Sequence, residues 1–323
     1  MSLPDMKVFN TQLQTAIVTK LNQKSNLFNT QSGNALALVN ERIMGDFKEE
    51  AIWNNVADAL RDVDAYGAQA AVTAIGLSQD QINSVKTMKS FGPIKWEKNQ
   101  LTWIGQDPGA AMSVISESLA MEVMQDQINK AIGVLVAAIG NQSAATLDVS
   151  AEVGDAGAVT QLTLNKTHAL WGDSSSNLTV QVMTGATSHK LYGQALQNGA
   201  SLFSEGTVRV IDILGKRSII TDCPALMAGS KERVLSLSPM AAVIASNDDF
   251  TSDILPVVGQ TRLETIYQAE YTENVSVKGY SWNTTVKSPV KAELETGANW
   301  TLILPLKQSA GALLVADPTK GVY

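Results

Sequence analysis

From Asp107 to Asn141 the chain reads DPGAAMSVISESLAMEVMQDQINKAIGVLVAAIGN, and no other stretch limits the fold so strongly. An aspartate can accept the first free amides of a helix, proline is favoured at its first position, and Gly-Asn is a common stop. No proline interrupts residues 109–139, so the pattern predicts one continuous helix over 108–139. At ~1.5 Å per residue it spans about 48 Å, where an average globular helix has about 11–12 residues. Met121, Met124, Ile128, Ala131, Leu135 and Ala138 form a stripe at three- and four-residue spacing. Glu117, Glu122 and Asp126 keep another face wet, whereas the closing GVLVAAI is apolar all round and predicts burial on every side.

What precedes this helix has little core of its own. Met6, Phe9, Leu13, Ile17 and Leu21 make one apolar stripe opposite Asn, Gln, Thr and Lys. That amphipathic helix has no obvious packing partner nearby in sequence; a seat on another subunit and a place on its own domain both stay open. Gly33 and Asn34 end it, and ALALV alternates as a strand does. Ile52, Val56, Leu60 and Val63 return to helical spacing, with Asp58, Arg61, Asp62 and Asp64 on the polar side. Residues 82–104 read as extended, with a bend at Gly92-Pro93 and Trp96, Leu101 and Trp103 as anchors. A long excursion thus leaves near residue 35 and returns near 104, and residues 48–100 are expected to pack mainly on neighbouring molecules.

After Gly154 short strands and short helices alternate: TVQVM, GATSHKLYGQAL, TVRVIDILGKRSIITDC and MAAVIAS, punctuated by Pro224, Pro239 and Pro256. Residues 263–304 are strand-like, and KSPVKAELETGANWTLILPL adds more strand. The fold class is α+β, with no internal repeat.

Composition narrows the function. The chain of 323 residues is 45% hydrophobic but only 17% charged, below the ~25% charged of average proteins; this hints at burial in an assembly. A net charge of −7 offers no basic groove for nucleic acid or polybasic membrane patch. The longest apolar run, AIGVLVAAI, is short of the ~20 residues that span a bilayer. The opening MSLPDMKVFNTQLQ lacks a leader pattern, and the lone Cys223 suits a reducing compartment.

No catalytic, cofactor or metal constellation emerges. Ser188 and His189 stand beside Asp173 in the segment WGDSSSNLTVQVMTGATSHKL, but neighbouring side chains diverge and no Gly-x-Ser-x-Gly elbow exists. The plainer expectation is a strand ended at Gly185, a helix capped by Thr187 or Ser188, and His189 on that helix. His168 is the only other histidine, so a zinc set is not available. Asn247-Asp248-Asp249 with Asp253 lacks the pattern of a calcium loop and reads as a helix cap. Leu214-Gly215-Lys216-Arg217-Ser218 fails as a phosphate loop and reads as a hairpin turn.

The order of arm, extended excursion, very long helix, compact mixed region and long strands resembles the major capsid protein of tailed bacteriophages, the Hong Kong 97-type fold. SVKTMKSFGPIKWEKNQLTWIG looks like the end of that family's extended loop, and THALWGDSSSNLTVQVMTGATSHKLYGQAL like its helix, Gly-Asp turn, central strand and second helix. GTVRVIDILGKRSIITDCPALM looks like the following hairpin, and ETIYQAEYTENVSVKGYSWN like late strands of the peripheral domain. The resemblance implies an N-terminal arm (1–34), an extended loop (35–105), a peripheral domain with the spine helix 108–139 (106–165 and strands in 255–290), and an axial domain (166–254, with a return at 291–323). It implies self-assembly as hexamers and pentamers around double-stranded DNA and no catalytic residue; the net charge of −7 adds the expectation of weak, unspecific DNA contact, and the residues give no membrane or cofactor signal. Scaffolding, portal and decoration proteins are its implied partners, and the virion capsid, assembled in the host bacterial cytoplasm, its location. Met6, Phe9, Leu13, Ile17, Leu21, Trp96 and Trp103 are the candidate assembly residues. Some relatives cross-link a lysine to an asparagine; Lys86, Lys89, Lys95 and Lys98 lie in the extended segment, and none is singled out. Two alternatives stand beside this reading: an encapsulin-like compartment shell, and an α+β enzyme with an unrecognised site.

Overall fold

The computed structural model describes residues 3–53, 61–97 except 70, 75 and 77, 108–197, and 216–321 except 260, with the side chains of residues 3–15, 96, 108–115 and 195–197 left aside. The long helix forms as α2, Pro108–Gly140, after the first helix, α1, Leu3–Gln31. Gly33 and Asn34 take positive φ of 64° and 55°, and the Asn34 amide returns to the Asn29 carbonyl at 2.9 Å. This left-handed stop ends α1 where the sequence reading put it.

Fourteen strands follow from the alternating stretches among the described residues. They are β1 Leu36–Asn40, β2 Phe47–Trp53, β3 Gln79–Glu97, β4 Thr146–Asp148, β5 Val180–Met183, β6 Arg217–Ile220, β7 Met227–Ala228, β8 Lys231–Leu237, β9 Ala242–Ser246, β10 Thr251–Val257, β11 Glu264–Val277, β12 Tyr280–Trp282, β13 Trp300–Leu302 and β14 Gly311–Ala316. The shorter helices are α3 Gln161–Ala169, α4 Gly185–Gln197 and α5 Lys291–Leu294. Eight strands form one sheet in the order β1-β9-β11-β12-β13; β10 and β3 also pair with β11, and β2 lies outside β3. The other six form a second sheet, β4-β14-β8-β5-β6, with β7 on β8. The two sheets cut across the sequence division at 254, because β9 pairs with both β1 and β11.

One core joins the sheets. Leu36, Ile244 and Val275 of the first and Val182, Leu235 and Leu313 of the second close on Ile132, Leu135 and Ile139 of α2. The last third of α2 is therefore enclosed, as its all-round apolar sequence requires. Each fully buried aliphatic side chain there contributes roughly 1.5–3 kcal/mol. The middle of α2 departs from the expected stripe. Met121 is 51% exposed, while Leu119, Ala120, Val123, Gln127 and Lys130 turn inward against α1 and β11. The physical reason is a buried ion pair: Lys130 is 1% exposed and meets Glu273 of β11, which is 0% exposed.

β11 alternates inward and outward over its length, burying Tyr267, Ala269, Tyr271, Val275 and Val277 on one face. Its hairpin leads to Trp282, which packs edge-on against Trp300 with centroids 4.9 Å apart. Both indoles donate to backbone carbonyls, Trp282 to Val286 and Trp300 to Leu294, each at 2.9 Å.

The excursion is more integrated than its sequence promised. From Val85 to Glu97, β3 runs along β11 of its own chain, and Val85 and Thr87 are buried. The bend at Gly92-Pro93 is a bulge inside one continuous strand. Gly92 has φ 99°, and a Cβ there would stand 2.8 Å from the Tyr267 carbonyl, so only glycine fits. The more exposed part is the ribbon of β2 and the start of β3, Phe47↔Val85 to Trp53↔Gln79. The helical spacing at Ile52 does not make a helix: Ile52 lies in β2, Val63 in irregular chain, and Val56 and Leu60 outside the described residues.

Candidate assembly surfaces

The Ser188, His189 and Asp173 set dissolves on inspection. Asp173 sits in a 3-10 turn, Gly172–Asn177, and its carboxylate takes the Lys307 ammonium at 2.5 Å. That lysine, above all, holds the Asp173 carboxyl below its ordinary range. Ser188 is buried on the first turns of α4, whereas His189 is exposed there. The cap of α4 is neither Thr187 nor Ser188 but Thr184, whose hydroxyl accepts the Thr187 amide at 3.2 Å. Strand β5 ends at Met183, just ahead of it, so the cap shifts from Thr187 or Ser188 by three or four residues.

His168 is buried between sheet and helix, its Nε2 3.1 Å from Ser236 Oγ and 3.4 Å from Gln181 Nε2. Burial, reinforced by the nearby Lys216 charge, pushes its pKa down to about 4. A neutral imidazole facing a hydroxyl and an amide fills a core and lacks an acid to orient it for proton transfer. Lys216 donates to the Ser175 and Leu178 carbonyls, so it ties a turn instead of holding a phosphate. Residues 214 and 215 of that expected hairpin turn lie outside the described residues.

The Asn247–Asp249 cluster caps no helix, since β10 follows it. Asn247 accepts the Ile43 amide at 2.9 Å and donates to Thr272 Oγ1 at 2.7 Å, while Asp249 accepts the Thr272 amide at 2.8 Å. These side chains clamp the chain crossing between β1, β9 and β11. Among the described residues no group of three or more His, Cys, Asp or Glu is placed to hold a metal ion, and no helix is long and apolar enough to cross a membrane. A cleft of about 610 Å³ opens between the end of α2 and β8, lined by Gly133, Ala137, Lys231, Arg233, Lys291 and Glu295 among others. Two of its cations are already paired, Lys231 with Asp148 and Lys291 with Glu295. Cys223 in its wall is kept protonated by burial.

The candidate assembly residues divide. Ile17 is 1% exposed and packs on Leu119, Tyr267 and Ala269 of its own chain, so α1 is at least partly an internal element. Leu21 is half-buried beside Val123 and Phe250. The side chains of Met6, Phe9 and Leu13 on α1, and of Trp96 opposite Thr265 on β3, lie outside the described set, as does Trp103 altogether. Lys86 donates to the Ile43 carbonyl at 3.2 Å, Lys89 pairs with Asp126 at 2.9 Å and Lys95 with Glu264 at 2.8 Å; Lys98 lies outside the described residues. Large apolar side chains stand out instead on the ribbon and the segment beyond it: Trp53 at 64% exposure, Val63, Tyr66 and Val72. Val63 was marked only through a helical spacing that forms no helix, and no periodicity marked Trp53, Tyr66 or Val72; short single apolar residues among charges carry no signal until a pairing partner is known.

A subunit with exposed large apolar side chains and a tightly shared core fits an assembling protein. The sequence model of the Gp13-like family, described as major capsid protein 13-like, matches residues 5–313. The chain belongs to this family. No curated protein sequence matches it. Among solved structures, the chain is similar to one from Microbacterium phage Oxtober96, at 12% identity and TM-score 0.54, covering 88% of this chain and 90% of that one. It is similar to the capsid of Ralstonia phage GP4, at 10% identity and TM-score 0.53, covering 89% and 88%. The capsid asymmetric unit of cyanophage Pam1 matches at 13% identity and TM-score 0.51, covering 85% of each chain. At these identities the likeness speaks for the fold, and the α+β capsid fold expected from the sequence is the one found. The major capsid protein is a structural component of a bacteriophage virion, not an enzyme.

Proposed function

We propose that this major capsid protein self-assembles as hexamers and pentamers into an icosahedral shell that encloses the double-stranded DNA of a tailed phage. The family match over residues 5–313 carries the reading. In it, α2 and the eight-stranded sheet make the peripheral part, the six-stranded sheet the axial part, and the β2–β3 ribbon the extended loop. The start of α1 acts as an arm on a neighbour, beyond the portion that Ile17 holds to its own chain. Trp53, Tyr66 and their exposed neighbours supply apolar contact for closed heterologous association. With a net charge of −7 the lining holds DNA weakly and without sequence preference. Scaffolding, portal and decoration proteins are its partners, and assembly takes place in the host bacterial cytoplasm. Analytical ultracentrifugation and negative-stain microscopy of the full-length protein test this. Closed particles, with nucleic acid inside those recovered from infected cells, are expected. A monomer under all assembly conditions, scaffolding protein included, overturns it.

A further inference from the structure

Beyond β2 the chain carries a turn that is built but covers nothing. The Asp64 carbonyl accepts the Gly67 amide at 3.2 Å, and the Asp64 carboxylate accepts the Tyr66 amide at 3.0 Å, so the turn is fixed from within. Tyr66 stands on it 100% exposed, with Val63 at 78%. All described residues from 61 to 74 are exposed, so no surface of the same subunit covers them. A tyrosine held ready on an ordered turn loses little conformational freedom on burial, which suits an anchor in a contact. Asp62, close by in the chain, has no partner among the described residues.

The cleft at the end of α2 is shaped and charged for such an anchor. Its volume of about 610 Å³ falls within the ~300–1,000 Å³ of sites that enclose a ligand. Gly133 and Ala137, one turn apart on α2, keep its helix wall almost free of side chains. Three cations line it, Lys231, Arg233 and Lys291, against two carboxylates, Asp148 and Glu295. The lysines answer to the carboxylates at 2.7 and 3.8 Å, whereas Arg233 gives one nitrogen to the Ala225 carbonyl at 3.0 Å. Among the described residues no carboxylate pairs with Arg233, so the cleft keeps one uncompensated positive charge and most of a guanidinium fork. Residues 61–67 carry the opposite balance, Arg61 against Asp62 and Asp64.

We propose that this cleft is the seat for the turn of a second copy of the chain, with Tyr66 entering over Ala137 and Asp62 facing Arg233. The proposal rests on the shell reading above and names where its exposed residues go. The turn follows β2, which pairs only with β3 in the eight-stranded sheet, while α2, α5 and the six-stranded sheet wall the cleft. Each copy therefore gives one surface and receives on another, the heterologous kind of contact that closes by symmetry. Tyrosine matches walls of mixed character, since its ring packs on Leu313 and Val315 and its hydroxyl stays with the polar rim. A carboxylate facing Arg233 meets a fork built for two parallel hydrogen bonds.

Photo-cross-linking on the full chain tests this. Benzoylphenylalanine in place of Tyr66, in a minority of subunits mixed with wild type, should cross-link in particles to residues 133–141 or 223–233, and to neither in free subunits. Tyr66→Ser should leave the urea midpoint of the free subunit unchanged and raise the concentration needed for assembly about 10-fold or more. Asp62→Arg and Arg233→Glu should each weaken assembly. The two variants mixed should assemble better than either alone, because each turn then meets the opposite charge in the other's cleft. Cross-links that fall elsewhere in particles, or none, overturn the proposal, as does Tyr66→Ser assembling like wild type. A mixture no better than its components overturns the Asp62 to Arg233 pairing; if Arg233→Glu does not fold, the two Tyr66 measurements still decide. Absence of wild-type particles refutes the shell reading itself, which separates the two failures.

Discussion

Replacing Lys130 with methionine removes one charge from the middle of the subunit while keeping the length of the side chain. Lys130 and Glu273 are 1% and 0% exposed, and the Glu273 carboxylate receives the Lys130 ammonium and, at 2.7 Å, Gln127 Nε2. Lys130→Met leaves a dehydrated carboxylate with a single neutral donor, which costs about 3–5 kcal/mol. Glu273→Leu strands the ammonium less completely, since Asp126 remains 3.8 Å away and is itself paired with Lys89. Its cost falls toward the lower end of that range. The double variant has no buried charge to strand and loses chiefly the acceptor of Gln127, about 1–3 kcal/mol. Urea unfolding of the unassembled subunit, followed by the fluorescence of the buried Trp282 and Trp300, measures all three. The double variant should be more stable than Lys130→Met, with a coupling of at least ~2 kcal/mol. A cost below ~1 kcal/mol for Lys130→Met, or additive costs in the double variant, would refute the reasoning.

His168 should make stability depend on pH in one window. Burial, with Lys216, depresses its folded pKa to about 4, so the unfolded chain protonates first. The contribution is intact above ~6.5, declines as pH falls to about 4 with a slope of up to ~1.4 kcal/mol per pH unit, and is constant below that. His168→Asn should flatten this segment of a pH–stability profile, and an unchanged slope counts against the assignment. Ile17→Ala should lower the stability of the unassembled subunit by about 2–5 kcal/mol, because Ile17 packs on Leu119, Tyr267 and Ala269; an unaltered thermal midpoint would mean that α1 binds only to neighbours.

The most legible parts of the sequence were those where one local rule decided the outcome. The span of α2 followed from its start, its stop and the lack of proline, and the strand character of β11 from its run of Tyr and Val residues. Gly33-Asn34 punctuated α1 because few residues accept a positive φ. The inner face of α2 was misread where its buried stripe includes Gln127 and Lys130, since a pattern of apolar residues cannot see an ion pair completed 143 residues later by Glu273. β3 was taken for a segment without a home because its partner, β11, lies far along the chain. The same holds for the assembly residues: Ile17 satisfied an amphipathic pattern, and nothing local tells whether the covering surface belongs to the same molecule.

The enclosed last third of α2 has a mechanical consequence. Two sheets share one set of contacts on the same three turns of helix, so neither can tilt without tearing side chains away from the other. The body of the subunit therefore behaves as a single stiff tile. Wherever a shell built from it must bend more sharply, the change of angle has to be taken up outside that body, in the exposed β2–β3 ribbon and the contacts it makes.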